Sequence, residues 1–215
     1  KCHHFKTANV GLLTIGCSTG GPAAVAILLA NLHKPFPVPI VIVQHIAAEF
    51  TTGFVSWLTE QTGMHTQIAK NGSQPKAGMV YVAPGGKQNL EVTTAGRFML
   101  TNAQPGQFFV PNINQMFFSM SQKLGPIGTG VVLTGMGDYG AKGLASLKAF
   151  GGKCFVQNSA SAIIDFMPKA ARLAAGMETT YSPAQMASKL NEIHFGKTEP
   201  WHCLATRNRL YCFGG

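Results

Sequence analysis

Short, almost uninterrupted apolar runs recur along this chain, and a longer helix-like or turn-rich stretch separates each from the next. Val10 to Cys17, Pro39 to Gln44, Met79 to Ala83, Thr129 to Thr134 and Lys153 to Gln157 are too short for helices. Several lack the apolar–polar alternation of a strand with one wet face, so they read as strands covered on both sides. Between them the spacing predicts helices over Pro22 to Leu32, Phe50 to Thr62, Ile113 to Leu124, Ala141 to Phe150 and Pro168 to Ala175. A last helix is expected from Pro183, with Ser182 as its cap, to about Ile193. Val92 to Thr101, with Ala95-Gly96 in the middle, predicts an antiparallel hairpin. The expected fold is therefore α/β: a doubly wound, mostly parallel sheet with helices on both faces and a hairpin insertion, in a single domain. Residues 1–9 are expected to be a linker remnant, 10–195 the folded domain and 196–215 an irregular tail.

Composition limits the partners. Charged residues make up 12% of the 215 and apolar ones 46%, which suits a packed core and not a disordered chain. No apolar run reaches the roughly 18 residues of a membrane span, and no signal-peptide pattern opens the sequence. Five cysteines at irregular spacing suggest a reducing, cytoplasmic setting and not a disulfide framework. Lys and Arg exceed Asp and Glu to give a formal charge of +9, which attracts an acidic partner. The basic residues are scattered without interleaved aromatics, so nucleic acid is not the expected partner.

In doubly wound sheets ligands bind beyond the carboxyl ends of the strands. Three chemically useful residues fall there. Ser18 lies in Gly16-Cys-Ser-Thr-Gly-Gly21 after the first strand, His45 follows the second, and Asp138 sits in Thr134-Gly-Met-Gly-Asp138. A right-handed crossover usually sets consecutive parallel strands side by side, so Ser18 and His45 are expected to meet. An imidazole that removes a hydroxyl proton, itself oriented by a carboxylate, makes a serine nucleophilic. Backbone N–H groups around Thr19, Gly20, Met136 and Gly137 are candidates for holding an oxyanion. Other ligands fit less well. Ser18 occupies the place of the second glycine in a dinucleotide fingerprint, and Pro22-Ala23 replace the Lys and Ser/Thr of a phosphate loop. The order Ser, His, Asp also differs from that of α/β-hydrolases. Cys2, His3, His4, His202, Cys203 and Cys212 could gather round a metal, but they lack a Cys-x-x-Cys spacing, and no metal is expected.

These segments resemble the CheB-type receptor methylesterases of bacterial chemotaxis. The resemblance runs through Ile15-Gly-Cys-Ser-Thr-Gly-Gly-Pro22, Val43-Gln-His-Ile46 with Phe50-Thr51, and Ala83-Pro-Gly-Gly86. It continues through Pro111 with Phe118-Ser119, Leu133-Thr-Gly-Met-Gly137 with Gly140-Ala141, and Met167-Pro168. It implies hydrolysis of glutamyl methyl esters on chemoreceptor cytoplasmic helices, often with glutamine deamidation, by a Ser-His-Asp triad without a cofactor. Ser18 and His45 match the nucleophile and the base. The resemblance also implies a phosphorylatable receiver domain, which is not present in this sequence, and acidic receptor helices would suit the basic charge.

The sequence departs from the family pattern at the acid. Tyr139 stands where the family has its catalytic Asp, and Asp138 fills the preceding variable position. Only one other aspartate exists, Asp165, which also follows a strand end. Ile46, Ala47, Asn158 and Phe166 differ from the family's usual residues on the same rim. Loss of the acid's function in such a triad costs about 10⁴-fold in kcat, with roughly 10³ to 10⁴ over water surviving. Asp138 is the expected orienting group for His45, with Asp165 and Tyr139 as alternatives. The expected activity is a serine carboxylesterase. The rival readings are a receptor-binding module with a decayed triad and an esterase for a different, small ester.

Overall fold

The computed structural model describes residues 11–196. Six strands form one all-parallel sheet in the order β3-β4-β2-β1-β7-β8. Their ranges are β1 Leu12–Cys17, β2 Ile40–Gln44, β3 Thr66–Ile68, β4 Val80–Val82, β7 Gly128–Val132 and β8 Lys153–Val156. β5 (Gln88–Val92) and β6 (Phe98–Asn102) make a separate antiparallel hairpin. The helices are α1 Gly21–Ala30, α2 Ala48–Thr62, α3 Ile113–Lys123, α4 Ala141–Ala149, α5 Phe166–Ala174 and α6 Pro183–Phe195.

Every residue of β1, β2 and β7 is buried. Successive strand side chains point to opposite faces, and here each face has its own core. Ile40 and Ile42 pack with Val25 and Leu28 of α1, Leu58 of α2 and Leu190 of α6. Val41 and Val43 join the other cluster, with Phe117 of α3, Leu144 of α4, Met167 of α5 and Leu90 of the hairpin. The expected doubly wound architecture is what forms, with the hairpin covering part of one face. The α6 cap is also as expected, with Ser182 and Gln185 bonded reciprocally at the helix start.

Two features differ from the sequence reading. β3 was not expected; it is a three-residue strand, Thr66-Gln-Ile68, with too little apolar pattern to stand out. The hairpin begins at Gln88 and not at Val92, because Asn89 is fully buried and bonded in place of an apolar side chain. No helix among the described residues is long and apolar enough to cross a membrane. The expected linker at 1–9, nearly all of the expected tail and the terminal Cys/His candidates lie outside the described residues.

The sheet order reverses beside β1: the chain moves to β2 and outward, then returns to β7 on β1's other side. That reversal opens a crevice at the carboxyl ends of β1 and β7, the usual ligand position of such a sheet.

Candidate active site

Cys17 and Gln44 are register partners at the ends of β1 and β2, so Ser18 and His45 leave the sheet from adjacent positions. The His45 N–H donates to the Cys17 carbonyl at 3.1 Å, which extends the ladder to the candidate base. On the other flank, Ser18 N–H donates to the Thr134 carbonyl at 3.0 Å and ties the nucleophile turn to the loop after β7. Gly20 takes a left-handed φ of 79° as the chain swings from strand into α1. Such a value costs a residue with a Cβ, but not glycine.

Gln44 fastens the two candidate residues together from below. It is 3% exposed, and its Nε2 donates to the carbonyls of Ser18 (3.0 Å) and His45 (3.1 Å). Its Oε1 accepts the Cys17 thiol at 3.0 Å. Burial pushes the Cys17 thiol far up from its ordinary pKa, which leaves it neutral beside the serine. Thr134 serves the neighbouring loop. Its hydroxyl reaches the carbonyls of Thr19 and Ile164, each at 3.0 Å, and accepts from Ile164 N–H at 2.9 Å. Gln157 Oε1 accepts the Thr134 N–H at 2.7 Å.

The oxyanion candidates line the same crevice. Ser18, Gly21 and Gly135 spend their N–H groups on backbone carbonyls. Those of Thr19, Gly20, Met136 and Gly137 have no acceptor among the described residues. Gly135 must stay bare, since a Cβ there would sit 2.7 Å from Ser18 Cβ and 2.2 Å from Met167 Sδ.

His45 is half-buried, and burial lowers its pKa below the ordinary 6.5; a weaker, opposing pull comes from the Pro111 carbonyl. Neither ring nitrogen makes a hydrogen bond of full geometry, so the Pro111 contact is loose. No hydrogen bond joins His45 to Ser18 Oγ, although catalytic contacts in ligand-free sites often tighten only with substrate. Asp138 is exposed in its loop, and its carboxylate does not bond to His45. Asp165 stands at the start of α5 without a side-chain capping bond, and it does not bond to His45 either. Two rings meet His45: Tyr139 at a centroid distance of 5.0 Å and Phe109 at 5.6 Å. The structure thus places Ser18 and His45 on neighbouring strand ends and brings neither carboxylate to the base. Gln44, Phe109, Pro111 and Asn89 were not assigned roles from sequence. Gln44 left a trace there, as a polar residue ending a wholly apolar strand.

Two shallow grooves flank these residues. One, of about 380 Å³, is lined by Pro22, Ile46, Glu49, Phe50, Gly53, Phe54 and Trp57. The other, of about 410 Å³, is lined by Met136, Ser159, Ala162, Ile163, Ile164, Asp165 and Phe166.

The CheB methylesterase family model matches residues 13–190, which include every one of these site residues. The chain belongs to the CheB methylesterase family. It is 37% identical over 180 residues to protein-glutamate methylesterase/protein-glutamine glutaminase 3 of Anaeromyxobacter dehalogenans, covering 83% of this chain and 52% of that protein. It is 40% identical over 164 residues to the Myxococcus xanthus protein of the same name, covering 76% and 45%. The chain therefore spans about half the length of the curated relatives it matches. Among solved structures, the Thermotoga maritima CheB methylesterase catalytic domain superposes with a TM-score of 0.79 at 28% identity, covering 86% of this chain and 98% of that one.

Proposed function

We propose that this chain is a serine carboxylesterase that hydrolyses glutamyl methyl esters, and deamidates glutamines, on the cytoplasmic helices of chemoreceptors. The observation that carries this reading is the Cys17–Gln44 register, which sets Ser18 beside His45 at the crevice where unspent N–H groups gather. The names of the relatives, all enzymes of this class, favour turnover over a binding-only module.

In the proposed reaction, Ser18 Oγ attacks the ester carbonyl carbon and His45 takes the hydroxyl proton. The carbonyl π electrons move to oxygen, where the N–H groups of Thr19, Gly20, Met136 and Gly137 receive the negative charge. Collapse breaks the C–O bond, and His45 returns the proton to the leaving methoxide, releasing methanol. Water then attacks the acyl-serine with His45 again as base, and the proton goes back to Ser18 Oγ. With glutamine the leaving group is ammonia. Every proton is accounted for by Ser18, His45 and water, so the scheme calls on no cofactor.

A cytoplasmic setting, an acidic receptor surface facing the basic chain and a phosphorylatable receiver domain as regulator belong to the same proposal. The test is methanol release from methylated receptor, with Ser18→Ala beside the parent chain. Ser18-dependent release supports the reading. Receptor binding without Ser18-dependent release would replace it with the binding-module alternative.

A further inference from the structure

His45 sits in a clamp with no carboxylate in it. Tyr139 meets the imidazole edge-on, at 5.0 Å between centroids and 74° between planes. Phe109 lies on it at 5.6 Å and 32°, and the two clamping rings contact each other at 4.3 Å. The Tyr139 ring occupies the space where a side chain on Gly137 would be, since a Cβ there would fall 2.7 Å from the ring. Pro111 lies two residues beyond Phe109, and its carbonyl makes no hydrogen bond of full geometry to the ring.

Phe109 and Pro111 lie on the segment between β6 and α3, and a buried polar group fixes that segment. Asn89 of β5, fully buried, accepts from Asn112 N–H at 2.8 Å. Its amide donates to Gln107 Oε1 at 3.0 Å, and Gln107 Nε2 returns a bond at 3.3 Å. The hairpin thereby holds the loop that touches the base, although it contributes nothing to the reaction crevice itself.

A histidine base needs a fixed ring plane and a fixed tautomer, and a carboxylate ordinarily supplies both. Packed rings restrict the plane through contact. We propose that Tyr139 and Phe109 are the positioning groups for His45, and that Asn89 anchors the loop bearing Phe109. This rests on the esterase reading of Ser18 and His45, and it makes the working unit a serine–histidine dyad. Asp138 and Asp165 are then dispensable for orientation.

The experiment compares the parent chain with Tyr139→Phe, Tyr139→Leu and Tyr139→Ala on p-nitrophenyl acetate, alongside the rate of fluorophosphonate labelling at Ser18. Thermal unfolding of each variant is recorded, and the Leu variant carries the comparison if the Ala variant does not fold. Tyr139→Phe keeps the ring and is expected to retain most of the parent's kcat. Tyr139→Leu and Tyr139→Ala are expected to lose about 10- to 100-fold in kcat with little change in KM, as small misplacements of a base do. Loss in Tyr139→Phe equal to that in Tyr139→Ala would overturn the proposal, because the phenol hydroxyl would then be the active group. So would unchanged kcat in both the Leu and Ala variants. A parent chain whose Ser18 does not react at all would instead bring down the esterase reading, and this inference with it.

Discussion

The side-chain amide of Gln44 donates to the carbonyl oxygen of Ser18 at 3.0 Å. The same nitrogen reaches the His45 carbonyl at 3.1 Å, so one buried amide holds the backbone on both sides of the candidate dyad. Neither contact touches a reacting atom. They add a second tie between two turns that the His45 N–H to Cys17 carbonyl bond already joins.

Gln44→Leu removes both bonds and leaves the His45 carbonyl without a donor, while the Ser18 carbonyl keeps the Gly21 N–H at 2.8 Å. Such a group costs about 1–3 kcal/mol when buried and unsatisfied. The variant is expected to lose about 1–3 kcal/mol of stability in urea unfolding. Its esterase kcat should also fall, because Ser18 and His45 lose the side-chain tie between their turns. Stability reduced with kcat intact would show that the tether is structural only.

The pH dependence follows from the burial of His45. Its pKa in the folded chain lies below the ordinary 6.5, first through burial, with the Pro111 carbonyl pulling weakly the other way. The base works only when neutral, so the acid limb of kcat/KM is expected below pH 6.5. The stability effect has a matching sign. The unfolded histidine binds its proton more readily than the folded one, so this contribution to stability is present above the unfolded pKa and is lost as pH falls through the folded one. An acid limb above the ordinary histidine value would contradict the burial described here.

Tyr139→Asp puts a carboxylate beside the imidazole. An opposite charge within about 4–6 Å typically raises a histidine pKa by roughly 1–3 units. The acid limb is expected to move up accordingly, and kcat to rise if the new carboxylate bonds to the ring. A pH–rate profile identical to that of the parent would place residue 139 out of reach of the base.

Gly135→Ala tests the contact beneath the nucleophile. The added Cβ would meet Met167 Sδ at 2.2 Å and Ser18 Cβ at 2.7 Å. Overpacking of this kind costs about 1–3 kcal/mol, and here the displaced atom belongs to the nucleophile. Methanol release is expected to fall more steeply than stability, which parallel calorimetry and activity assays would reveal.

Cys17 immediately precedes Ser18 and is the obvious competitor for nucleophile. It is fully buried, and burial drives its pKa up. Cys154 is also raised, to about 12. Peptide mapping after native alkylation is expected to find Cys17 and Cys154 unmodified, while fluorophosphonate maps to Ser18. Rapid native alkylation of Cys17 would contradict the buried, neutral thiol.

Much of the architecture was legible in the sequence because its signals are local. Continuous apolar runs identified strands covered on both faces, and Ser182 with Pro183 marked the start of α6. The glycine-flanked Ser18 and the strand-end His45 could be paired because consecutive parallel strands tend to be neighbours. β3 escaped because three residues with one apolar side chain carry no period. The early start of the hairpin escaped because Asn89 looks like a turn residue until Gln107 and Asn112 satisfy it in the interior.

The amino-acid sequence alone determined the strand–helix alternation, the two-sided core and the placement of a serine and a histidine on one sheet edge. All of these follow from side-chain periodicity and from turns a few residues long. What surrounds the imidazole was decided only by tertiary structure. Tyr139, Phe109 and Pro111 arrive from two loops far from His45 in the chain, and one of those loops is set by the buried bonds of Asn89. A one-residue offset between Asp138 and Tyr139 in a glycine-rich loop then selects which side chain faces the base. That choice depends on how the loop packs, and no periodic pattern encodes it.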